Sequence, residues 1–239
     1  MLTTISGFCS QLKVVSILDI LSFETPPLSY EENRQTTGIG TEIVETIFKK
    51  VNAKYFISIY PFDDSYARAK SKENSIIYPL ARTSEREFDF NWVGPIADNS
   101  IYLFQLHGEK KISIMALNNL GNFKVGVIKN STAHKFLINK NISKSLVLEE
   151  KPETNIKKLY GKQIDLIAGN ELELLYIAKK IGLNHNNLSR VFLLIKNNGY
   201  YLGLNKFIST SLLNEIKTAF DQLESSGEIR TIQDNFLNK

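Results

Sequence analysis

Two arginines carry the clearest chemistry in this chain. Arg82 and Arg86 stand four residues apart in Ala81-Arg82-Thr83-Ser84-Glu85-Arg86-Glu87-Phe88-Asp89-Phe90-Asn91-Trp92-Val93-Gly94-Pro95-Ile96. A guanidinium is a planar fork of donors that fits a carboxylate in two places, which an ammonium cannot do. The apolar run Ile76-Ile77-Tyr78 before them reads as a buried strand stopped by Pro79. The pair therefore falls at a strand's carboxyl end, where open α/β sheets place their ligands. Thr83 and Ser84 accept from free amides or cap a short helical turn, which sets Arg82 and Arg86 on one side. Phe88, Phe90 and Trp92 then alternate with polar residues, the period of a half-buried strand that ends at Gly94-Pro95. A second donor set is Ser131-Thr132. It joins a strand over 123–128 to a helix whose Phe136 and Leu137 face the core. Amides and hydroxyls at that helix start make a natural anion site.

Other chemistries lack an anchor. His107, His134 and His185 are scattered, without paired-ligand spacing or a neighbouring cysteine, so no metal is expected. No Gly-rich phosphate loop, Gly-x-Ser-x-Gly elbow or Cys-His pairing occurs, and no cofactor is expected. The net charge of +4 is modest for 239 residues, and the lysines follow no nucleic-acid-binding signature, so nucleic acid is not an expected partner. No apolar run is long enough to span a bilayer. The single cysteine, Cys9, excludes an internal disulfide. Residues 1–10 are uncharged and rich in small residues, like the end of a secretory signal cut short at its front.

The elements that position these groups alternate. A strand is expected over 12–18, then a loop stiffened by Pro26 and Pro27. Gly38-Ile39-Gly40 opens a helix with an apolar stripe of Ile43, Ile47, Phe48 and Val51. Strands follow over 55–60 and 101–106, with a short helix around Tyr66-Ala67-Arg68 and a polar turn at 108–111. Strands are expected again over 146–148 and 191–195, with helices over 155–160 and 172–181. A strand over 200–205 and a helix capped by Ser209 and stopped by Gly227 close the chain, with a last short helix through Phe236. Strand–helix–strand units with short joins imply parallel strands and right-handed crossovers, hence an α/β fold.

At Arg-Thr-Ser-Glu-Arg-Glu-Phe-Asp-Phe-Asn-Trp-Val-Gly-Pro-Ile the chain resembles the T-x-E-R segment of the family 3 periplasmic solute-binding proteins of ABC importers. The likeness runs more loosely from about Leu12 to the C-terminus. It implies a type II periplasmic-binding-protein architecture of two lobes, each a mixed, mostly parallel sheet flanked by helices, joined by a two-segment hinge near Asn99 and Asn197. Lobe 1 would be 11–99 with 196–239, and lobe 2 would be 100–195. The resemblance assigns the ligand carboxylate to Arg86, with Arg82 beside it. Asn130-Ser131-Thr132 would bind the same carboxylate from lobe 2, with Asn130 in a glycine's place. Phe23 and Tyr30 lie on the segment that forms the family's lid, and Phe62 is a further aromatic for the cleft wall. Glu42 takes the second acid's place in a helix-opening motif.

Ile164-Asp165-Leu166-Ile167-Ala168-Gly169-Asn170-Glu171 resembles the motif whose last acid holds a ligand's ammonium group. Here that position is Asn170, which argues against an α-amino acid unless Glu171 or Glu173 substitutes. The resemblance implies a monomeric, non-enzymatic, periplasmic protein. It would close around a small carboxylate-bearing solute, an amino acid or related polar molecule, and deliver it to an ABC-importer membrane permease. Two alternatives stay open: an enzyme on the same fold, like the cyclohexadienyl dehydratases, with Glu42 and Glu171 as its acids, or a receptor's sensing module.

Overall fold

The computed structural model describes residues 17–108 and 112–238. Cys9, the leader-like residues 1–10, nearly all of the strand expected over 12–18 and most of the turn at 108–111 lie outside the described residues.

The first strand among the described residues is β1 (Leu18–Ser22), a segment not expected to be a strand beyond Leu18. Its polar residues hid it. Asp19 pairs with Lys72 at 2.7 Å, and Ser22 Oγ donates to Tyr78 O at 2.9 Å. A hairpin of β2 (Tyr30–Glu32) and β3 (Gln35–Thr37) leads to α1 (Ile39–Val51). Gly38 caps that helix at φ 121°, and a Cβ there would lie 2.6 Å from Leu28 O, so only glycine fits. Then come β4 (Tyr55–Ile59), α2 (Phe62–Ser71), β5 (Ser75–Ala81) and β6 (Phe90–Ala97).

Both expected proline stops are overruled. β5 runs through Pro79 and β6 through Gly94-Pro95. In each case the ladder to the neighbouring strand slips its register beside the proline, so the missing N–H falls where no regular bond was due. Phe88, counted in the alternating strand, lies in a turn before it and is 86% exposed.

β7 (Ile101–Leu106) begins a second sheet with β8 (Val125–Ile128), α3 (Thr132–Asn139), β9 (Leu146–Glu149) and α4 (Pro152–Tyr160). β10 (Leu166–Gly169), α5 (Glu171–Lys180) and β11 (Leu188–Ile195) complete it. β12 (Tyr200–Asn205) returns to the first sheet, and α6 (Thr210–Ser225) and α7 (Glu228–Asn238) end the chain.

The first sheet has the order β4-β1-β5-β12-β6, and the second β11-β7-β10-β8-β9. In the first, β12 lies antiparallel between β5 and β6; in the second, β7 lies antiparallel to β10 and β11. The remaining pairs are parallel. These are two α/β lobes. β1 and β5 bury apolar side chains on both faces: Leu18, Ile20 and Ile76 pack with α1, while Leu21 and Ile77 pack with Ala69 of α2.

The chain crosses between the sheets at 98–100 and again at 196–199, and the crossings are bonded to each other. Asn197 Nδ2 donates to Asn99 O at 2.9 Å, and the Gly199 N–H donates to Asn99 Oδ1 at 2.8 Å. Asp98 supports this junction by accepting from Tyr102 Oη and the Ser100 N–H, both at 2.9 Å.

Candidate functional site

The turn between β5 and β6 sends its two arginines to different partners. Arg82 is committed within its own loop: Nε and Nη2 grip both Glu87 carboxylate oxygens at 2.8 and 2.5 Å. Its guanidinium lies 5.7 Å from the Trp92 ring centre and 5.3 Å from that of Tyr201. Arg86 gives one bond, from Nη1 to Ala81 O at 3.2 Å, and has no carboxylate partner among the described residues. It lies over Phe62 at 5.0 Å and Tyr66 at 5.5 Å. Phe23 meets Phe62 edge-on at 4.9 Å. Tyr66 is held by a bond to Asp89 Oδ2, and burial together with that bond pushes its pKa up to about 12. A half-buried guanidinium on an aromatic floor keeps most of its donors for an incoming anion.

Lobe 2 contributes the other wall. Asn130 sits in the left-handed region at φ 62°, the conformation its replacement of glycine requires, and its N–H donates to His134 Nδ1 at 3.0 Å. Ser131 caps α3, its Oγ accepting from the His134 N–H at 3.2 Å. The first-turn amides of α3 have no acceptor inside the helix. Ser131 and Thr132 line a cavity of about 390 Å³ with Asn170, Glu173, Asn197 and Tyr200. Neither Arg82 nor Arg86 lines it, so the two expected carboxylate-binding sets stand on separate lobes and not in one cavity.

The start of α5 divides its polar groups between different tasks. Asn170 caps the helix, Oδ1 accepting from the Glu173 N–H at 3.3 Å, and its Nδ2 donates to Asp98 O at 2.9 Å. Glu171 is held by both Arg190 nitrogens, with Arg190 over the Tyr102 ring at 4.5 Å. Glu173 has no cationic partner among the described residues. Loss of solvation, then Glu153, raises its carboxyl pKa, an effect damped because the side chain stays open to water.

Tyr30 and Glu42 border a different pocket, with Tyr176, Lys179 and Phe236. The Tyr30 ring lies 6.0 Å from Tyr176, and Tyr176 lies 6.2 Å from Phe236. Of the aromatics expected near the ligand, Phe23 and Phe62 are therefore in the Arg86 cluster and Tyr30 is not. Sequence reading passed over Tyr66 and Tyr200. Tyr66 was visible as the i+4 neighbour of Phe62 on α2. Tyr200 had no local signal, because its place depends on the return of β12 from the other lobe.

Known proteins share this architecture. The sequence pattern of the bacterial extracellular solute-binding proteins, family 3, matches residues 20–239. A Bacillus subtilis (strain 168) relative, described as probable amino-acid-binding protein YxeM, is 24% identical over 160 residues, 66% of this chain. The match spans 60% of that relative's length. Substrate binding domain 2 of Lactococcus lactis GlnP, in an open conformation, superposes with a TM-score of 0.77 at 18% identity, covering 93% of this chain and 96% of that one. The unliganded, open L-cystine solute receptor of Neisseria gonorrhoeae gives 0.75 at 18% identity, covering 93% of each.

Proposed function

This chain belongs to the bacterial extracellular solute-binding proteins, family 3, and from that premise we propose that it closes its two lobes around one small carboxylate-bearing solute, an amino acid or a related molecule, for an ABC importer. The lobes are read as 11–99 with 196–239, and 100–195, hinged at the bonded crossings. The observation that carries the reading is Arg86: a half-buried guanidinium on an aromatic floor, at a strand's carboxyl end, without a carboxylate of its own among the described residues. Lobe closure brings the α3 amides of Ser131 and Thr132 to the same carboxylate. The polar contacts are then completed only in the closed state, which couples ligand to closure.

The protein acts as a monomeric binding protein in the periplasm, not as an enzyme. Glu171, one of the two acids an enzyme would use, is already neutralised by Arg190. The test is calorimetry with a panel of amino acids and small carboxylates. Arg86→Ala should lower affinity by about 2–3 kcal/mol for any carboxylate that binds, because it strands a desolvated anion. Unchanged affinity in that variant would refute the assignment.

A further inference from the structure

We propose that the base of the second lobe, opposite the cleft, is a docking face for an anionic phospholipid surface, which holds the protein with its first lobe outward. The net charge of +4 conceals a split. Residues 100–195 hold 14 lysines and arginines against 7 aspartates and glutamates, whereas the rest of the chain holds 15 against 18. An anionic surface therefore attracts one lobe and repels the other. A charge asymmetry of that kind orients a protein as well as binding it.

The topology gathers part of that charge at one end. β8, β9 and β10 run parallel, with Ser131 and Asn170 beyond the carboxyl ends of β8 and β10. The amino ends of these strands form the base. Lys124 leads into β8 and Lys144 into β9, Lys140 closes α3, and Lys157 lies in the last turn of α4, before β10. All four are exposed, and none has an ion-pair partner among the described residues. The acid in these joins, among the described residues, is Asp165, and its Oδ2 accepts from the Lys124 N–H at 2.7 Å. The same end of the first lobe is different. There Lys50 meets Glu228 at 3.6 Å, while Lys70 meets Asp89 and Lys72 meets Asp19, both at 2.7 Å. A cation at the end of α3 or α4 suits the helix dipole, but Lys124 and Lys144 serve no helix.

Apolar groups in the same face favour a lipid surface over a nucleic acid. β7 runs antiparallel to β10, so its last residue, Leu106, is also at this end. A cavity of about 180 Å³ is lined there by Leu106, Ile112, Phe123 and Leu159, together with Lys162. Met115, 89% exposed, stands on the segment that joins β7 to β8 across this end. Lysine stems lie along apolar surface while their ammonium groups reach out to phosphates. Interfacial binding grows with buried apolar area and charge attraction together.

The experiment is co-sedimentation of the full chain with phosphatidylcholine vesicles, with and without about 30% phosphatidylglycerol. At about 50 mM salt the anionic vesicles should bind at least about tenfold more tightly, and about 500 mM salt should remove that preference. A lysine beside an anionic leaflet is worth about fivefold in partition, so Lys140→Glu with Lys144→Glu should lower binding by at least about twentyfold. Lys49→Glu with Lys54→Glu makes the same charge change at the base of the first lobe and should stay within about threefold of wild type. Melting temperatures show whether each variant is folded. Lys124→Gln with Lys157→Gln is a milder second test of the same face and should lower binding about tenfold. Equal binding to both vesicle types, equal losses in the two charge-reversed pairs, or tighter binding to a short DNA duplex than to anionic vesicles would each overturn the proposal.

Discussion

Asn170 donates through Nδ2 to the carbonyl of Asp98 at 2.9 Å, joining the start of α5 to the first inter-lobe crossing. The residue that resemblance places at an ammonium site is therefore a structural tie. Its second, longer bond, to Ser100 O at 3.4 Å, points to the same segment.

Asn170→Asp follows directly. The carboxylate would still cap α5, but it would lose the donor and face two carbonyl oxygens. The expected outcome is a loss of about 1–3 kcal/mol in unfolding free energy with no gain in amino-acid affinity. Denaturant titration with parallel calorimetry checks both halves, and a tighter amino-acid complex would contradict the structural role.

Arg82→Ala should divide from Arg86→Ala in kind. Arg82 is bonded to Glu87 and packed near Trp92 and Tyr201, with the ion pair partly exposed. Its loss should cost about 1 kcal/mol of stability, the scale of a partly exposed pair with a ring contact, while carboxylate affinity changes little. Melting curves and calorimetry on the two single variants show whether the split occurs.

The crossing should respond to acid through Asp98. Burial raises its carboxyl pKa, but bonds from Ser100 and Tyr102 outweigh burial and leave it below the usual aspartate range. A pKa depressed in the folded state gives stability that is present above the unfolded value and is lost as pH falls through the folded one. Between roughly pH 5 and pH 3 the wild type should therefore lose stability faster than Asp98→Asn. Denaturation midpoints measured across that window test the sign. Parallel curves would mean that Asp98 is not the group responsible.

Among the described residues, Asn155 carries a clear internal cost. Both polar atoms of its side chain are buried without a hydrogen-bond partner, and Oδ1 lies 2.8 Å from where a Cβ on Gly126 of β8 would sit. Removing an unsatisfied amide relieves its desolvation penalty, and alanine is the better helix former in α4. Asn155→Ala should raise stability by about 1 kcal/mol, read as a higher denaturant midpoint with an unchanged slope.

Much of the architecture was legible in one dimension because the signals were local. β7 and β12 match their expected bounds, and α1 starts at its glycine pair, since an apolar period or a cap marks each one. Ser209 is read as a cap from type and position alone, and its side chain accepts from the Leu212 N–H.

What the sequence by itself determined was the alternation of elements and the chemistry of Arg86 and Ser131-Thr132, because side-chain type and backbone preference belong to each residue. The tertiary structure decided which groups remain available. Arg82 and Arg86 look alike in sequence, but Glu87, brought back by the turn, uses the donors of the first and leaves those of the second. Asn170, Glu171 and Glu173 lie on one helical turn, yet Asp98 of the first crossing and Arg190 of β11 reach them and take two of the three. Residues 19–22 of β1 gave no strand signal for the same reason: Asp19 and Ser22 look out of place in a core until Lys72 and Tyr78, far along the chain, satisfy them. A polar group's role depends on whether a partner reaches it, and the fold supplies the partners.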